Sequence, residues 1–193
     1  MKTEIEARLL NVDVEGFLEK LKSLKAEFVG DWLQIRNCYD FNPVRKNSWI
    51  RLRKNGKETT LTIKEIGSAR IDGTKESEIV VSDFDTANEI LNKLGYKERT
   101  TQENRRIQYK LDGVEIDVDF WPMIPTYVEF EASSEEDIKS VCGKLGVSFN
   151  ELTSLDVQSI YSHYGIDLNE IKILKLEEER KNNKNFRQLT TRF

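Results

Sequence analysis

The 193-residue chain has one histidine and two cysteines, and these scarcities remove whole classes of chemistry. Cys38 and Cys142 lie far apart, outside any CxxC pair and with no histidine neighbour, and His163 is the sole imidazole. A His/Cys zinc site and a nucleophilic triad that draws on several histidines are therefore excluded, and each cysteine reads as a small buried hydrophobe. No apolar run approaches the roughly 20 residues that a bilayer span requires, and the first ten residues alternate charge where a signal peptide would be continuously apolar. A soluble, cytoplasmic protein is expected. Positive charge is not in excess either: 30 Lys plus Arg stand against 34 Asp plus Glu, a net charge of −4. That argues against a general binder of nucleic acid or acidic membrane. The chemistry must fall to carboxylates, lysine, arginine and hydroxyls.

What the chain does have is alternation. Glu4, Glu6 and Arg8 share one parity while Thr3, Ile5, Ala7 and Leu9 share the other, the mark of a strand with one charged face. From Asp13 the spacing changes to threes and fours (Val14, Phe17, Leu18, Leu21, Leu24, Phe28), which predicts an amphipathic helix. Strands are predicted at 33–41, 48–54, 58–65 across the Asn55-Gly56 turn, 75–82, 102–111, 114–121 after the Asp112-Gly113 turn, and 127–132. Helices are predicted at 83–95, at 134–146 from a Ser133/Glu136 capping box, at 154–164 and at 168–180. The polar end 181–193 has no apolar period and is expected to be mobile. Without a repeat or a Pro/Gly linker, one domain over 1–166 is expected, followed by a C-terminal helix and tail over 167–193.

An antiparallel sheet of eight strands either pairs with a second sheet or closes into a barrel. The side-chain parity favours closure. Charges recur two apart in strand after strand, and the opposite parity is apolar: Ile50 and Leu52, Leu61 and Ile63, Val118 and Phe120, Val128 and Phe130. Helices with apolar stripes can cover that face from outside, leaving the charged face inward as a polar tunnel. The fold class expected is α+β: an eight-stranded antiparallel closed barrel with helices packed outside. Its interior would hold the acids Glu4, Glu6, Glu76, Glu78, Asp117, Asp119, Glu129 and Glu131 against the bases Arg8, Arg51, Arg53, Lys64 and Arg106. Such charges must be paired, hydrated or bound to an ionic ligand. Clustered carboxylates suit hard divalent cations, and clustered Arg and Lys suit polyphosphate, so the two together describe a site for a metal-bound triphosphate.

In these features the chain resembles the CYTH, or triphosphate tunnel metalloenzyme, superfamily, which unites class IV adenylate cyclases with thiamine and inorganic triphosphatases. The resemblance is carried by Glu4-Ile5-Glu6-Ala7-Arg8, where the family has Glu-x-Glu-x-Lys, and by Tyr39-Asp40, Arg51-Leu52-Arg53, Lys64, Glu76-Ser77-Glu78, Arg105-Arg106, Asp117-Val118-Asp119 and Glu129-Phe130-Glu131. It spans roughly residues 2–166. Ile116 to Pro122 and His163-Tyr164-Gly165-Ile166 resemble the class IV adenylate cyclase branch.

The resemblance implies that Glu4, Glu6, Asp119, Glu129 and Glu131 hold magnesium or manganese. It implies that Arg51, Arg53, Lys64 and Arg106 grip phosphates, with Glu78 completing the wall. Arg8 stands where the family has Lys and would meet the phosphate that is attacked or departs, although a guanidinium does not readily give up a proton. Tyr39 would help activate water, as in some triphosphatases, but the lysine partner expected two residues before Arg106 is here Asn104. The implied reaction is conversion of ATP to cyclic AMP and pyrophosphate. The alternatives are hydrolysis of tripolyphosphate, thiamine triphosphate or a nucleotide, and non-catalytic binding of a nucleotide or polyphosphate. The expected partner is a small-molecule triphosphate, ATP or a relative, with no membrane and with nucleic acid only as a 5′-triphosphate end; the chain is expected to be a monomer or homodimer.

Overall fold

The computed structural model describes residues 1–176. Its main strands are β1 (Lys2–Leu9), β2 (Glu27–Asp40), β3 (Ser48–Lys54), β4 (Thr59–Ile66), β5 (Thr74–Val81), β6 (Glu98–Leu111), β7 (Val114–Phe120) and β8 (Tyr127–Ala132). They run antiparallel in the order β2-β3-β4-β5-β1-β8-β7-β6, and β6 pairs back onto β2 to close the barrel. That seam is the longest pairing, from Glu27 opposite Lys110 to Tyr39 opposite Glu98. Closure leaves none of the eight strands as an open edge, so their backbone groups are satisfied around the ring. A two-residue strand, β9 (Ile173–Leu174), adds in parallel to β6 beside Thr101 and Gln102.

Four helices lie outside: α1 (Val14–Ser23), α2 (Phe84–Lys93), α3 (Glu135–Leu145) and α4 (Val157–His163). The apolar core therefore sits between barrel and helices. Phe17, Leu18 and Leu21 of α1 and Ile138, Val141 and Leu145 of α3 cover Ile116, Val118, Val128 and Phe130. Ala87 and Leu91 of α2 cover Ile50 and Leu52, and Ile160 and Tyr161 of α4 pack with Trp121 and Tyr127. Each fully buried aliphatic or aromatic side chain stabilises by roughly 1.5–3 kcal/mol, and nearly all of that gain lies on the outer face of the sheet. The interior is left free to be polar.

Local chemistry explains the element ends. At the hairpin between β3 and β4 the Asn55 side-chain oxygen accepts from the N–H groups of Lys57 and Glu58, both at 3.0 Å, and Gly56 takes φ +92°. The first helix is shorter than its spacing predicts. It ends at Ser23, Lys25 turns into the left-handed region at φ +56°, and Phe28 belongs to β2, where its ring meets Tyr109 edge to face. The cap of α3 is one residue later than expected: the Ser134 hydroxyl, not that of Ser133, accepts from the Asp137 N–H at 3.1 Å. The helix expected over 168–180 is replaced, within the described residues, by a 3-10 turn at Leu168–Glu170 followed by β9. Its remainder, with the 181–193 tail, lies outside the described residues. No described helix is long and apolar enough to cross a membrane.

Candidate functional site

The barrel encloses a cavity of about 680 Å³, within the range of small-molecule sites. Because side chains alternate along a strand, each strand delivers its residues two apart, and strand register sets who meets whom. Arg8 lies opposite Glu129, which lies opposite Asp117; Glu6 lies opposite Glu131; Arg51 lies opposite Thr62, itself opposite Glu78; Lys64 lies opposite Glu76. Of the expected interior residues, Glu4, Glu6, Arg8, Arg51, Arg53, Lys64, Glu76, Glu78, Arg106, Asp117, Glu129 and Glu131 all line the cavity.

The charges are not evenly paired. On the β6–β8 side Arg106 is clamped by carboxylates: Nε donates to Asp119 Oδ1 at 2.8 Å, Nη2 to Asp119 Oδ2 at 2.5 Å and to Glu129 at 3.2 Å, and Nη1 to Asp117. Arg8 is held by Glu129 at 2.5 Å, Glu6 at 2.8 Å and the Leu155 carbonyl at 2.9 Å. Lys64 bridges Glu4 at 2.9 Å and Glu76 at 3.3 Å. The β3 cations are held loosely by comparison: Arg51 lies 3.4 Å from Glu78 and 3.7 Å from Glu76, and Arg53 lies 3.8 Å from Glu78.

Acid–base behaviour follows this layout. Burial lowers Arg53 to about 9, reinforced by the like charges of Arg51, Arg36 and Arg106. On the opposite wall burial raises Glu131 to about 7, reinforced by Glu4, Glu129, Glu115 and Glu6. Among the described residues no Lys or Arg pairs with Glu131. Asp117 is also raised to about 7 by burial, against the pull of Arg106. Burial would raise Glu129 as well, but Arg8 and Arg106 outweigh it and hold the carboxyl well below its usual range. Burial disfavours the charged form of Arg8, yet Glu129 and Glu6 more than compensate, so it keeps its proton.

Two expected site residues lie elsewhere. Tyr39 points out of the barrel into the α2 core, fully buried, with its hydroxyl donating to Asn88 at 2.6 Å and burial pushing its pKa up to about 12. It does not line the cavity, which removes it as a water-activating group. Asp119 is also fully buried and off the cavity surface; Arg106 takes both of its oxygens, and Asn104 donates to Oδ1 at 2.9 Å. It orients Arg106 and Asn104 instead of facing an ion. One residue that sequence reasoning missed is Arg36, which lines the cavity with Gln34 and Cys38. The available signal was parity, since Gln34, Arg36 and Cys38 alternate with Tyr39.

A divalent cation suits the donor set of the acidic wall. Glu4, Glu6 and Glu131 offer hard oxygen ligands, and the unpaired, raised Glu131 marks local negative charge that a cation would relieve. Among the described residues no three His, Cys, Asp or Glu side chains already converge in a metal-holding arrangement. Glu4 is turned to Lys64 and Glu6 to Arg8, so those pairs must open for the ion.

Residues 2–158 match the CYTH domain family, and the chain belongs to it. Among solved structures it is similar to a conserved hypothetical protein from Pyrococcus furiosus, with 27% identity, a TM-score of 0.69, and coverage of 82% of this chain and 99% of that one. A candidate adenylate cyclase from Vibrio parahaemolyticus matches at 15% identity and a TM-score of 0.70, covering 83% and 98%. A candidate adenylyl cyclase from Hippeastrum with a dominant triphosphatase activity matches at 17% and 0.59, covering 86% and 97%. The last two share the fold alone. No curated protein matches the chain.

Proposed function

We propose that the chain is a magnesium- or manganese-dependent enzyme acting on a triphosphate, converting ATP to cyclic AMP and pyrophosphate. The observation that carries the triphosphate reading is the separation of charge inside one cavity, with loosely held guanidiniums on β3 and an under-neutralised carboxylate wall on β1 and β8. Cyclisation is taken from the likeness to the class IV branch over residues 116–122 and 163–166.

In this reading Arg51, Arg53, Lys64 and Arg106 take phosphate oxygens, with Arg51 and Arg53 the readiest because their internal partners lie 3.4 Å or more away. Glu4, Glu6 and Glu131, with Glu129 beside them, would hold the divalent cation, which supplies neutralisation of phosphate oxygens and of the pyrophosphate that leaves. Glu78 accepts from the Thr62 hydroxyl at 2.6 Å and keeps the ends of Arg51 and Arg53 in place until phosphate arrives. Arg8, pinned by two carboxylates, contributes charge and position and passes no proton. The ribose 3′-oxygen then bonds to the α-phosphorus as the α–β phosphoanhydride bond breaks, the hydroxyl proton passes to solvent water, and pyrophosphate departs; the protein's share is alignment and charge.

Hydrolysis of the terminal phosphoryl by water is the second reading. It is favoured by the aromatic lining: of the three tryptophans that line the cavity, Trp121 has a face covered by Arg36 at 4.6 Å and Trp32 a face covered by Lys57 at 4.7 Å, which leaves less stacking surface for a base outside Trp49. Chromatography of products after incubation with ATP, GTP, tripolyphosphate or thiamine triphosphate, with magnesium or manganese, tests both. Cyclic AMP with pyrophosphate supports the first and orthophosphate release the second. Tight binding without turnover would make the protein a binder and contradict both.

A further inference from the structure

Arg36 differs from the other cations set deep in the tunnel; Lys2, Arg45 and Lys57 also line it without a carboxylate partner among the described residues, but they are exposed. Among the described residues Arg8, Arg51, Arg53, Lys64 and Arg106 each have a carboxylate within 4.0 Å, and Arg36 has none. Its partners are neutral. Nη2 donates to Gln34 Oε1 at 2.9 Å and to Asn104 Oδ1, and the guanidinium lies over the Trp121 ring at 4.6 Å from the centroid. Both hydrogen bonds leave from the same nitrogen. Nε of Arg36 is buried with no partner, as are those of Arg8, Arg51 and Arg53, and Nε1 of Trp121 beside it is also without one. Arg36 is 6% exposed and Trp121 is 3% exposed, yet both line the cavity. A buried cation without a contacting counter-charge is costly, and buried N–H groups without acceptors add to that cost.

The corner is held in place by neighbours on both sides. Asn104 is oriented by its own bond to Asp119, which fixes its oxygen toward Arg36. Trp121 is held edge to face by Tyr161 at 6.2 Å, and the Tyr161 hydroxyl donates to the Pro122 carbonyl at 2.7 Å. Asp119 favours the charge from beyond Asn104, but among the described residues no carboxylate lies in contact with it, which leaves a contacting anion to be supplied from outside. A phosphoryl group offers the oxygens that a guanidinium fork and an indole N–H require. Because the corner is almost closed, it suits the end of a phosphate chain better than a phosphate esterified on both sides.

We propose that Arg36 and Trp121 form a closed anion subsite that takes the terminal phosphoryl group of the substrate, with Arg36 supplying the charge and Trp121 Nε1 a second donor. This rests on the triphosphate reading above. It adds to that reading a requirement for a free phosphate end.

The test is calorimetric binding, in excess magnesium, of inorganic tripolyphosphate and of diadenosine triphosphate, whose two ends are both esterified. Wild type should prefer tripolyphosphate. Arg36→Gln should bind tripolyphosphate about 10- to 100-fold more weakly while its affinity for the diester changes less than about threefold. The ligand-free thermal midpoint of Arg36→Gln should be unchanged or higher, because a buried unpaired charge is removed; a purely structural arginine would lower it. Trp121→Phe, which removes the N–H and keeps the ring, should cost roughly two- to tenfold for tripolyphosphate alone. Undiminished tripolyphosphate binding in Arg36→Gln, or an equal loss for both ligands, would overturn the subsite. Wild type that binds neither ligand would overturn the triphosphate reading along with it.

Discussion

The two long walls of the tunnel solve the same problem in opposite ways. On β6, β7 and β8 each buried guanidinium is matched by carboxylates at short distance, as with Arg106 between Asp119, Asp117 and Glu129. On β2 and β3 the guanidiniums of Arg36, Arg51 and Arg53 crowd one another with distant acids or none, and burial with that crowding lowers Arg36 to about 10 and Arg53 to about 9. A buried ion pair is a self-sufficient structural unit, whereas an under-neutralised cluster is a site that an ion completes. The difference ranks the cations by how readily they turn to a ligand: Arg51 and Arg53 at once, Arg106 only after it releases a carboxylate.

The comparison can be broken most directly at Arg8 of β1, which is matched by Glu6 and by Glu129 of β8. Arg8→Met should cost about 3–5 kcal/mol of stability, since it leaves Glu6 and Glu129 without their shared cation. Chemical denaturation measures it; a loss under 1 kcal/mol would make Arg8 a ligand-binding residue. Arg53→Ala, on the crowded side, should do the reverse. Activity should fall about 10- to 150-fold, equivalent to about 1.5–3 kcal/mol of a charge-assisted contact, while the thermal midpoint holds. Near-normal turnover would place Arg53 off the substrate path.

Glu131→Gln sharpens the acidic wall and carries a pH signature. A carboxyl raised from 4.5 to about 7 in the folded state costs nothing below pH 4.5, where it is protonated both folded and unfolded; the cost builds as pH rises and is complete above pH 7. The metal-free variant should therefore be more stable than wild type by about 1–2 kcal/mol at pH 8, a figure discounted because the carboxyl still reaches water, and equal to it at pH 4. Denaturant midpoints at the two pH values check this, and a variant less stable at pH 8 would show that Glu131 has a structural partner. The smallest effect belongs to Tyr39→Phe, which removes one hydrogen bond to Asn88 and should cost about 1 kcal/mol of stability with kcat unchanged. A large fall in kcat would return Tyr39 to the mechanism.

The closed barrel was legible in the sequence because period-two alternation reports which face is polar, and the apolar parity needed helices to cover it. The same rule found Glu4, Glu6, Arg51, Arg53 and Lys64, whose strands alternate cleanly. It failed on β2, where Gln34-Ile35-Arg36-Asn37-Cys38-Tyr39 carries polar groups on both parities, and a tyrosine hydroxyl drew attention from Arg36. Asp119 and Asp117 look alike in sequence; that Arg106 takes both oxygens of Asp119 and one of Asp117 depends on cross-strand register. Phe28 extended a helical spacing across a turn at Lys25 that carries no glycine or proline. Leu174 and Leu176 fall inside the helix expected over 168–180, yet they lie two apart and are both buried, as a strand places them. Short elements of that kind are set by the surface they land on.

The central claim is that an internally divided set of charges accepts a triphosphate only together with divalent cations. Calorimetric titration of the wild-type protein with tripolyphosphate, with magnesium and then with chelator, tests it most directly. Binding at least about tenfold tighter with magnesium is the expected result; equal affinity in both conditions would contradict the account.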